Sequence, residues 1–308
     1  MYVGIDLGTS GVKALLMDET QAVVASAQAS LEVSRPAPGW SEQDPADWIT
    51  ATSDALRELA ARQDLSSVKG IGLSGQMHGA TLLDAQDKVL RPAILWNDTR
   101  SHVEAADMDA DPQFREVTGN IVFPGFTAPK LVWAKRHEPS VFSQVSKILL
   151  PKDYLRLWLT GEHVSEMSDA SGTSWLDTKD RDWSDQLLAA SDLDRSHMPS
   201  LVEGSETSGS LRAEIASEFG LRAGIPVAGG AGDNAASAVG AGVARAGEAF
   251  VSLGTSGVLF AAMDGYAPAP ETALHTFCHA LPGSWHQMGV ILSAADSLSW
   301  WSTIADVK

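Results

Sequence analysis

The chain has 308 residues, of which 44% are hydrophobic, so it can bury a large core and is long enough for about two domains. Acidic side chains outnumber basic ones by 39 to 22, which gives a formal net charge of −17. This charge disfavours nucleic acid and anionic membranes as partners, whereas a nucleotide phosphate can still bind through local donors or a divalent cation.

The cysteine count and the hydropathy pattern bear on location. Cys278 is the only cysteine, which excludes a disulfide within the chain and is typical of a reducing compartment. The amino terminus has no basic segment followed by an apolar one, and no apolar run reaches the roughly eighteen residues of a membrane span. We therefore expect a cytoplasmic protein with no membrane partner.

The first predicted element is a β-hairpin, whose turn Leu-Gly-Thr-Ser-Gly-Val at 7–12 recurs letter for letter at 253–258. Each copy lies between two apolar runs, and its glycines, hydroxyls and backbone N–H groups suit a tight turn that receives an anion. Two ordinary glycine turns are the alternative, but six identical residues in equivalent contexts favour two phosphate loops facing one cleft. The repeat predicts related domains at 1–245 and 246–308, the second of them incomplete.

Further along the chain, strands and helices alternate. A third extended run at 22–27 precedes a helix that Asp44 caps, that Pro45 opens and that ends near Arg62. Strands at 68–74 and 225–228 are followed by the polar loops 75–79 and 229–234. Open α/β sheets bind ligands at such strand ends. We also predict three more helices: the first begins at Pro129, the second ends at Leu159, and the third spans 235–243. The fold class is therefore α/β.

Several motifs carry a resemblance to a known family. Residues 6–13 and 253–257 resemble the two phosphate motifs of the sugar kinase, Hsp70 and actin superfamily, which implies a ribonuclease H-like fold and ATP. Residues 126–133 are similar to a signature of the FGGY carbohydrate kinases, and Gly-Gln-Met-His-Gly at 75–79 has the form found in their xylulose kinase branch. Glycerol kinases carry Gln-Arg-Glu there instead. The resemblance extends over nearly the whole chain.

This resemblance implies a function. The expected reaction is ATP-dependent phosphorylation of D-xylulose at its terminal hydroxyl, with Mg²⁺ as cofactor. Homodimers are common among the proteins that this chain resembles. Another pentulose or polyol is an alternative substrate. A catalytically silent sugar-binding fragment is an alternative of another class, because the family's adenosine-binding motif is expected beyond Lys308.

The resemblance assigns the reaction to two aspartates and two turns. Asp233 is expected to be the catalytic base, although it could instead cap the following helix. Asp6 is expected to hold hydrated Mg²⁺ as a second catalytic carboxylate, although a strand-end aspartate is often only a turn acceptor. The nucleotide phosphates are expected to contact Gly8, Thr9, Ser10, Lys13, Gly254, Thr255 and Ser256, of which Lys13 could simply be solvated.

The sugar contacts follow from the same resemblance. His78 is expected to bond a hydroxyl and Met77 to pack on the apolar face of the ketose, although a histidine in apolar surroundings is often only a core residue. The other expected contacts are Trp96, Asn97, Asp98, Asp233 and Asn234, and Arg100 could simply pair with a carboxylate. His275, Cys278, His279 and His286 lie within twelve residues, but their spacing is poor for zinc, and the resemblance accounts for them without a metal.

Overall fold

The structure, a computed structural model, describes residues 1–254, 257–291 and 293–305. Its strands are β1 (Tyr2–Leu7), β2 (Gly11–Met17), β3 (Val23–Ser30), β4 (Glu42–Gln43), β5 (Ile71–Gly75), β6 (Thr81–Leu83), β7 (Ala93–Ile94), β8 (Lys147–Leu149), β9 (Val164–Glu166), β10 (Leu176–Asp177), β11 (Asp182–Trp183), β12 (Ser200–Val202), β13 (Thr207–Ser210), β14 (Pro226–Ala228), β15 (Ala231–Gly232), β16 (Ala249–Leu253), β17 (Gly257–Met263), β18 (His275–Cys278) and β19 (Trp285–Ile291).

The helices are interspersed with these strands, apart from four consecutive helices between β7 and β8. They are α1 (Pro45–Arg62), α2 (His102–Asp109), α3 (Pro112–Thr118), α4 (Thr127–His137), α5 (Pro139–Phe142), α6 (Pro151–Thr160), α7 (Met167–Ala170), α8 (Asp185–Ala190), α9 (Ala213–Phe219), α10 (Asp233–Gly240) and α11 (Ala295–Ala305). No helix among the described residues is both long and apolar enough to cross a bilayer.

The main sheet has the strand order β13-β14-β5-β1-β2-β3, and β15 continues the pairing beside β5. The hairpin β1–β2 is antiparallel, whereas β1, β14 and β15 each run parallel to β5. Because parallel strands end at the same edge of a sheet, the loops that follow β1, β5 and β15 meet there.

Helix α1 covers one face of this sheet. Asp44 caps it by accepting from the Ala46 N–H at 2.9 Å, and Pro45 occupies its first turn, as the sequence predicts. Alternate side chains of β1 and β2 pack with the apolar face of α1 in one core, and this burial fixes which face of the strands points inward. The residues that belong to this packing include Val3, Ile5, Leu7, Val12, Ala14, Leu16, Trp48, Leu56 and Leu59.

The second predicted hairpin is also present. Strands β16 and β17 pair antiparallel within the sheet β16-β17-β19-β18, and Phe260, Phe277 and Met288 form its core. Thr255 and Ser256, which the sequence assigns to phosphate binding, lie outside the described residues.

Two helices begin earlier than the sequence predicts. Helix α4 begins at Thr127 rather than Pro129, because a proline is tolerated within the first turn, where backbone N–H groups have no partner inside the helix. Helix α10 begins at Asp233 rather than Ala235, so that the aspartate is its first residue.

Candidate active site

Predicted site residues from distant segments meet at one edge of the main sheet. Asp6, near the end of β1, lies opposite Lys13 in β2 and beside Ser74 in β5, whose hydroxyl donates to its carboxylate. Gly232, the last residue of β15, pairs with Gly75. Asp233 is the next residue in the chain, and therefore the two aspartates share this edge.

Asp233 opens helix α10. Gly232 occupies the N-cap position, and Asp233 Oδ1 accepts from the backbone N–H of Asn234 at 2.7 Å and from its side-chain amide at 2.9 Å. Burial raises the pKa of the Asp233 carboxyl to about 6, against the hydrogen bonds from Asn234, and the negative charge of Asp6 adds to the rise. The carboxyl is therefore a proton acceptor near neutral pH.

The glycine loop before Asp233 is fixed by close backbone packing and by hydrogen bonds from buried side chains. Gly230 has φ +76°, and a Cβ there would lie 2.1 Å from the Leu73 carbonyl oxygen, so the position requires glycine. The buried Arg156 guanidinium donates to the carbonyls of Ala228 at 2.7 Å and Gly229 at 2.5 Å. Ser168 Oγ accepts from the Gly232 N–H at 3.1 Å. The sequence did not predict a role for Arg156, because a single arginine within a helix belongs to no recognisable motif.

His78 has φ +68°, in the left-handed region. Its Nδ1 lies 2.8 Å from the Gly172 carbonyl oxygen, and its ring stacks on Phe126 with centroids 4.7 Å apart. Burial lowers the pKa of His78 to about 3, and the charge of Lys130 adds to this effect. The ring is therefore neutral, and because a carbonyl only accepts, Nδ1 carries the proton. Nε2 is left as a hydrogen-bond acceptor.

Met77 packs against the loop that carries Asp233. A Cβ on Gly232 would lie 2.9 Å from both Cγ and Sδ of Met77, and a Cβ on Gly172 would lie 2.3 Å from Cε1 of His78. Both glycines leave the space that these two side chains occupy. The sequence signal for Gly172 was only its place in a polar loop.

The residues that follow β7 differ in their hydrogen-bond partners. The Trp96 indole N–H donates to Thr9 Oγ1 at 2.9 Å, and among the described residues no group bonds the buried Oδ1 of Asn97. Asp98, by contrast, accepts from the Ser41 N–H at 2.6 Å and pairs with Arg100 at 2.7 Å. The alternative that Arg100 pairs with a carboxylate is therefore what the structure shows.

The first hairpin turn is tied to its surroundings. The Gly8 N–H donates to the Gly11 carbonyl at 3.0 Å, and Ser10 accepts from the Leu31 N–H at 2.9 Å. Thr9 donates its hydroxyl to Gln76 Oε1 at 3.0 Å, whereas Lys13 is exposed. In the second hairpin, the Gly254 carbonyl accepts from the Ala295 N–H at 3.0 Å.

The histidines near Cys278 lie in an apolar cluster. The His286 ring is buried against Phe260, with centroids 4.2 Å apart, and His279 Nε2 lies 3.2 Å from the Val243 carbonyl oxygen. The Cys278 thiol faces the Thr178 carbonyl at 3.5 Å. In the described part of the chain, no three His, Cys, Asp or Glu side chains are grouped to hold a metal ion.

Comparisons with known proteins place this geometry in a family. The profile of the FGGY family of carbohydrate kinases, N-terminal domain, matches residues 1–240. The xylulose kinase of Escherichia coli K12 is 58% identical over 301 residues, which cover 97% of this chain and 62% of that protein. The chain thus spans about three fifths of the length of this curated relative.

Solved structures agree. The crystal structure of a xyloylose kinase from Brucella ovis superimposes with a TM-score of 0.98 at 65% identity, covering 100% of this chain and 64% of that one. Xylulose kinase from Rhodospirillum rubrum gives a TM-score of 0.93 at 32% identity, covering 98% and 62%. The ribonuclease H-like α/β fold expected from the phosphate motifs is confirmed by these sugar kinases, and the chain belongs to the FGGY family of carbohydrate kinases.

Proposed function

We propose that this protein transfers the γ-phosphoryl group of ATP to the terminal hydroxyl of D-xylulose, giving D-xylulose 5-phosphate. The observation that carries the proposal is the convergence of Asp233, with its raised pKa, and the neutral His78 at the sheet edge where the first hairpin turn lies. The names of the relatives from Escherichia coli and Rhodospirillum rubrum support the ketose as substrate.

Asp233 acts as the base. The hydroxyl oxygen of the sugar attacks the γ-phosphorus, the bond from that phosphorus to the β–γ bridging oxygen breaks, and ADP leaves. The hydroxyl proton passes to the Asp233 carboxylate. Since this proton moves late in a loose transition state, a carboxylate with a pKa of about 6 is basic enough.

The sugar is held by acceptor atoms to which no described residue donates a hydrogen bond. His78 Nε2 accepts from one hydroxyl, the Met77 thioether packs on the apolar face of the sugar, and the buried Oδ1 of Asn97 accepts from a second hydroxyl. We assign Trp96 and Asn234 to the same sugar site. Because the carboxylate of Asp98 is engaged by Ser41 and Arg100, we assign it to holding this segment in place.

The phosphates are held by the two hairpin turns. Gly8, Thr9, Ser10 and Lys13 serve the first turn, and Gly254, Thr255 and Ser256 serve the second. Asp6 is exposed at the sheet edge and its charge acts on Asp233, so its carboxylate would hold a hydrated divalent cation. Bound there, Mg²⁺ would neutralise charge on the transferred group.

We further propose that residues 1–245 and 246–308 belong to two related units. Each contains one glycine hairpin within its own sheet, β1–β2 in the main sheet and β16–β17 in the second. Helix α10 and the turn after it connect the two sheets. This division puts the proposed base at the start of the helix that leads from the first unit to the second.

A coupled assay of ADP release tests the proposal. The chain is expected to release ADP with D-xylulose and Mg²⁺, and D-ribulose and glycerol are expected to be slower. Asp233→Asn is expected to lower the rate by roughly 10²–10⁴-fold while the fold is retained. Faster turnover with D-ribulose or glycerol would contradict the substrate assignment. Calorimetric binding of D-xylulose without turnover would support the alternative of a silent sugar-binding protein.

A further inference from the structure

We propose that Lys130, in the signature segment 126–133, is a positioning residue that holds His78 in the conformation required for sugar binding. The proposal rests on the function proposed above. It gives the lysine of the signature a task that neither the reaction nor the sugar contacts include.

Lys130 contacts the site through two backbone carbonyls. Its side chain is 0% exposed, and Nζ donates to the carbonyl oxygens of His78 and Gly125, each at 2.8 Å. Lysine is rarely buried without a carboxylate partner, because its charge is costly to desolvate. Two carbonyl acceptors at the candidate site are therefore a specific use of this side chain.

The backbone of His78 needs such support. A left-handed conformation in a residue other than glycine is strained and persists only where its surroundings enforce it. Lys130 donates to the carbonyl of this residue, and Thr127 Oγ1 donates to the same oxygen at 3.1 Å. Two donors from the first turns of α4 thus fix the plane of the peptide that follows His78.

The second acceptor ties down the other side of the imidazole. Gly125 precedes Phe126, whose ring stacks on His78. A Cβ on Gly125 would lie 2.4 Å from the Trp96 carbonyl oxygen, so this loop approaches the Trp96 segment closely. By bonding both carbonyls, Lys130 joins the histidine backbone to the loop that carries its stacking partner. The bond from Nδ1 to Gly172 then leaves Nε2 as the acceptor available to the sugar.

A double-mutant cycle tests this role. Binding of D-xylulose to the 308-residue chain is measured by calorimetry for the wild type, Lys130→Met, His78→Ala and the double variant. Lys130→Met is expected to weaken binding roughly tenfold or more, and it is expected to have no further effect in the His78→Ala background. Losses that multiply in the double variant would overturn the proposal, because Lys130 would then act independently of His78.

Two further variants separate positioning from stability. Lys147 Nζ also donates to two backbone carbonyls, those of Ser196 at 2.6 Å and Met198 at 3.1 Å, away from the site. Lys147→Met is therefore the matched control and should leave sugar binding unchanged. Thr127→Val removes only the second donor to His78 and should weaken binding a few-fold, so it keeps the test available if Lys130→Met does not fold.

A spectroscopic readout does not depend on the substrate. Imidazole ¹⁵N shifts of the wild type are expected to give the Nδ1-protonated tautomer for His78, and Lys130→Met should produce a mixture of tautomers. An unchanged tautomer together with unchanged binding would overturn the inference. Failure of the wild-type chain to bind D-xylulose while the tautomer responds to Lys130→Met would instead contradict the proposed substrate and leave the positioning role supported.

Discussion

The indole N–H of Trp96 donates a hydrogen bond of 2.9 Å to the hydroxyl of Thr9, which joins the loop proposed to bind sugar to the turn proposed to bind phosphate. Thr9 is also bonded by two glutamines: its hydroxyl donates to Gln76, and its carbonyl accepts from Gln43 at 2.7 Å. The first hairpin turn is therefore part of a network that includes the loop predicted to bind sugar.

Trp96→Phe keeps the ring and removes the N–H. We expect the free energy of unfolding to fall by about 1 kcal/mol, the usual net contribution of one hydrogen bond. Urea unfolding of Trp96→Phe, Thr9→Val and the double variant checks this, because the double variant should cost about 1 kcal/mol less than the sum of the two single variants. Strictly additive losses would contradict the bond.

The rate should depend on pH through Asp233. Since its carboxyl has a pKa raised to about 6 and must be ionised to accept the hydroxyl proton, kcat/KM for D-xylulose should rise with pH and level off above about pH 6–7. Initial rates between pH 5 and 8 at fixed ionic strength measure this. A rate that stays flat across this range would contradict the assignment of Asp233 as the base.

The same pKa predicts a gain in stability on losing the base. The folded pKa of about 6 exceeds the unfolded value of 3.8, so the cost of ionising Asp233 in the folded state is absent below pH 4 and complete above about pH 6. Asp233→Asn should therefore raise the free energy of unfolding by up to about 3 kcal/mol at pH 7.5. Urea unfolding at pH 7.5 and pH 4 should show this gain disappear in acid.

Gly172→Ala should displace the His78 ring. A Cβ at this position would lie 2.4 Å from Nδ1 of His78, closer than any real contact allows. We expect turnover to fall on the order of 10²-fold, as when a reacting group is misplaced by about 1 Å. Gly240→Ala is the control, because nothing lies within 4 Å of a Cβ there, and it should leave turnover unchanged.

His286 should make the second sheet sensitive to acid. Burial lowers the pKa of this histidine well below its ordinary value, and the charge of His279 adds to the effect. The neutral form is thus required in the folded state, and stability is lost as pH falls below the unfolded pKa of about 6.5. We expect the free energy of unfolding of His286→Phe, relative to that of the wild type, to increase by about 2 kcal/mol when the pH falls from 8 to 5. Urea unfolding at the two pH values measures this difference. An equal difference at both pH values would contradict this.

Short-range chemistry accounts for the parts of the fold that the sequence predicts well. The cap at Asp44, the proline at 45 and both glycine hairpins depend on neighbouring residues, and all of them appear at the expected positions. The start of α10 at Asp233 was missed, because its small and polar first residues are equally compatible with a loop.

The sequence alone was enough to identify the α/β class, the repeated glycine turn and the family, since these depend on local patterns and on motifs within a few residues. Tertiary structure decided what individual side chains do. Asp98 accepts from the Ser41 N–H 57 positions away, His78 bonds a glycine 94 positions away, and Lys130 reaches a carbonyl 52 positions away. Sequence patterns do not record such contacts, because the folding of the whole chain sets the distance between two residues that are far apart along it.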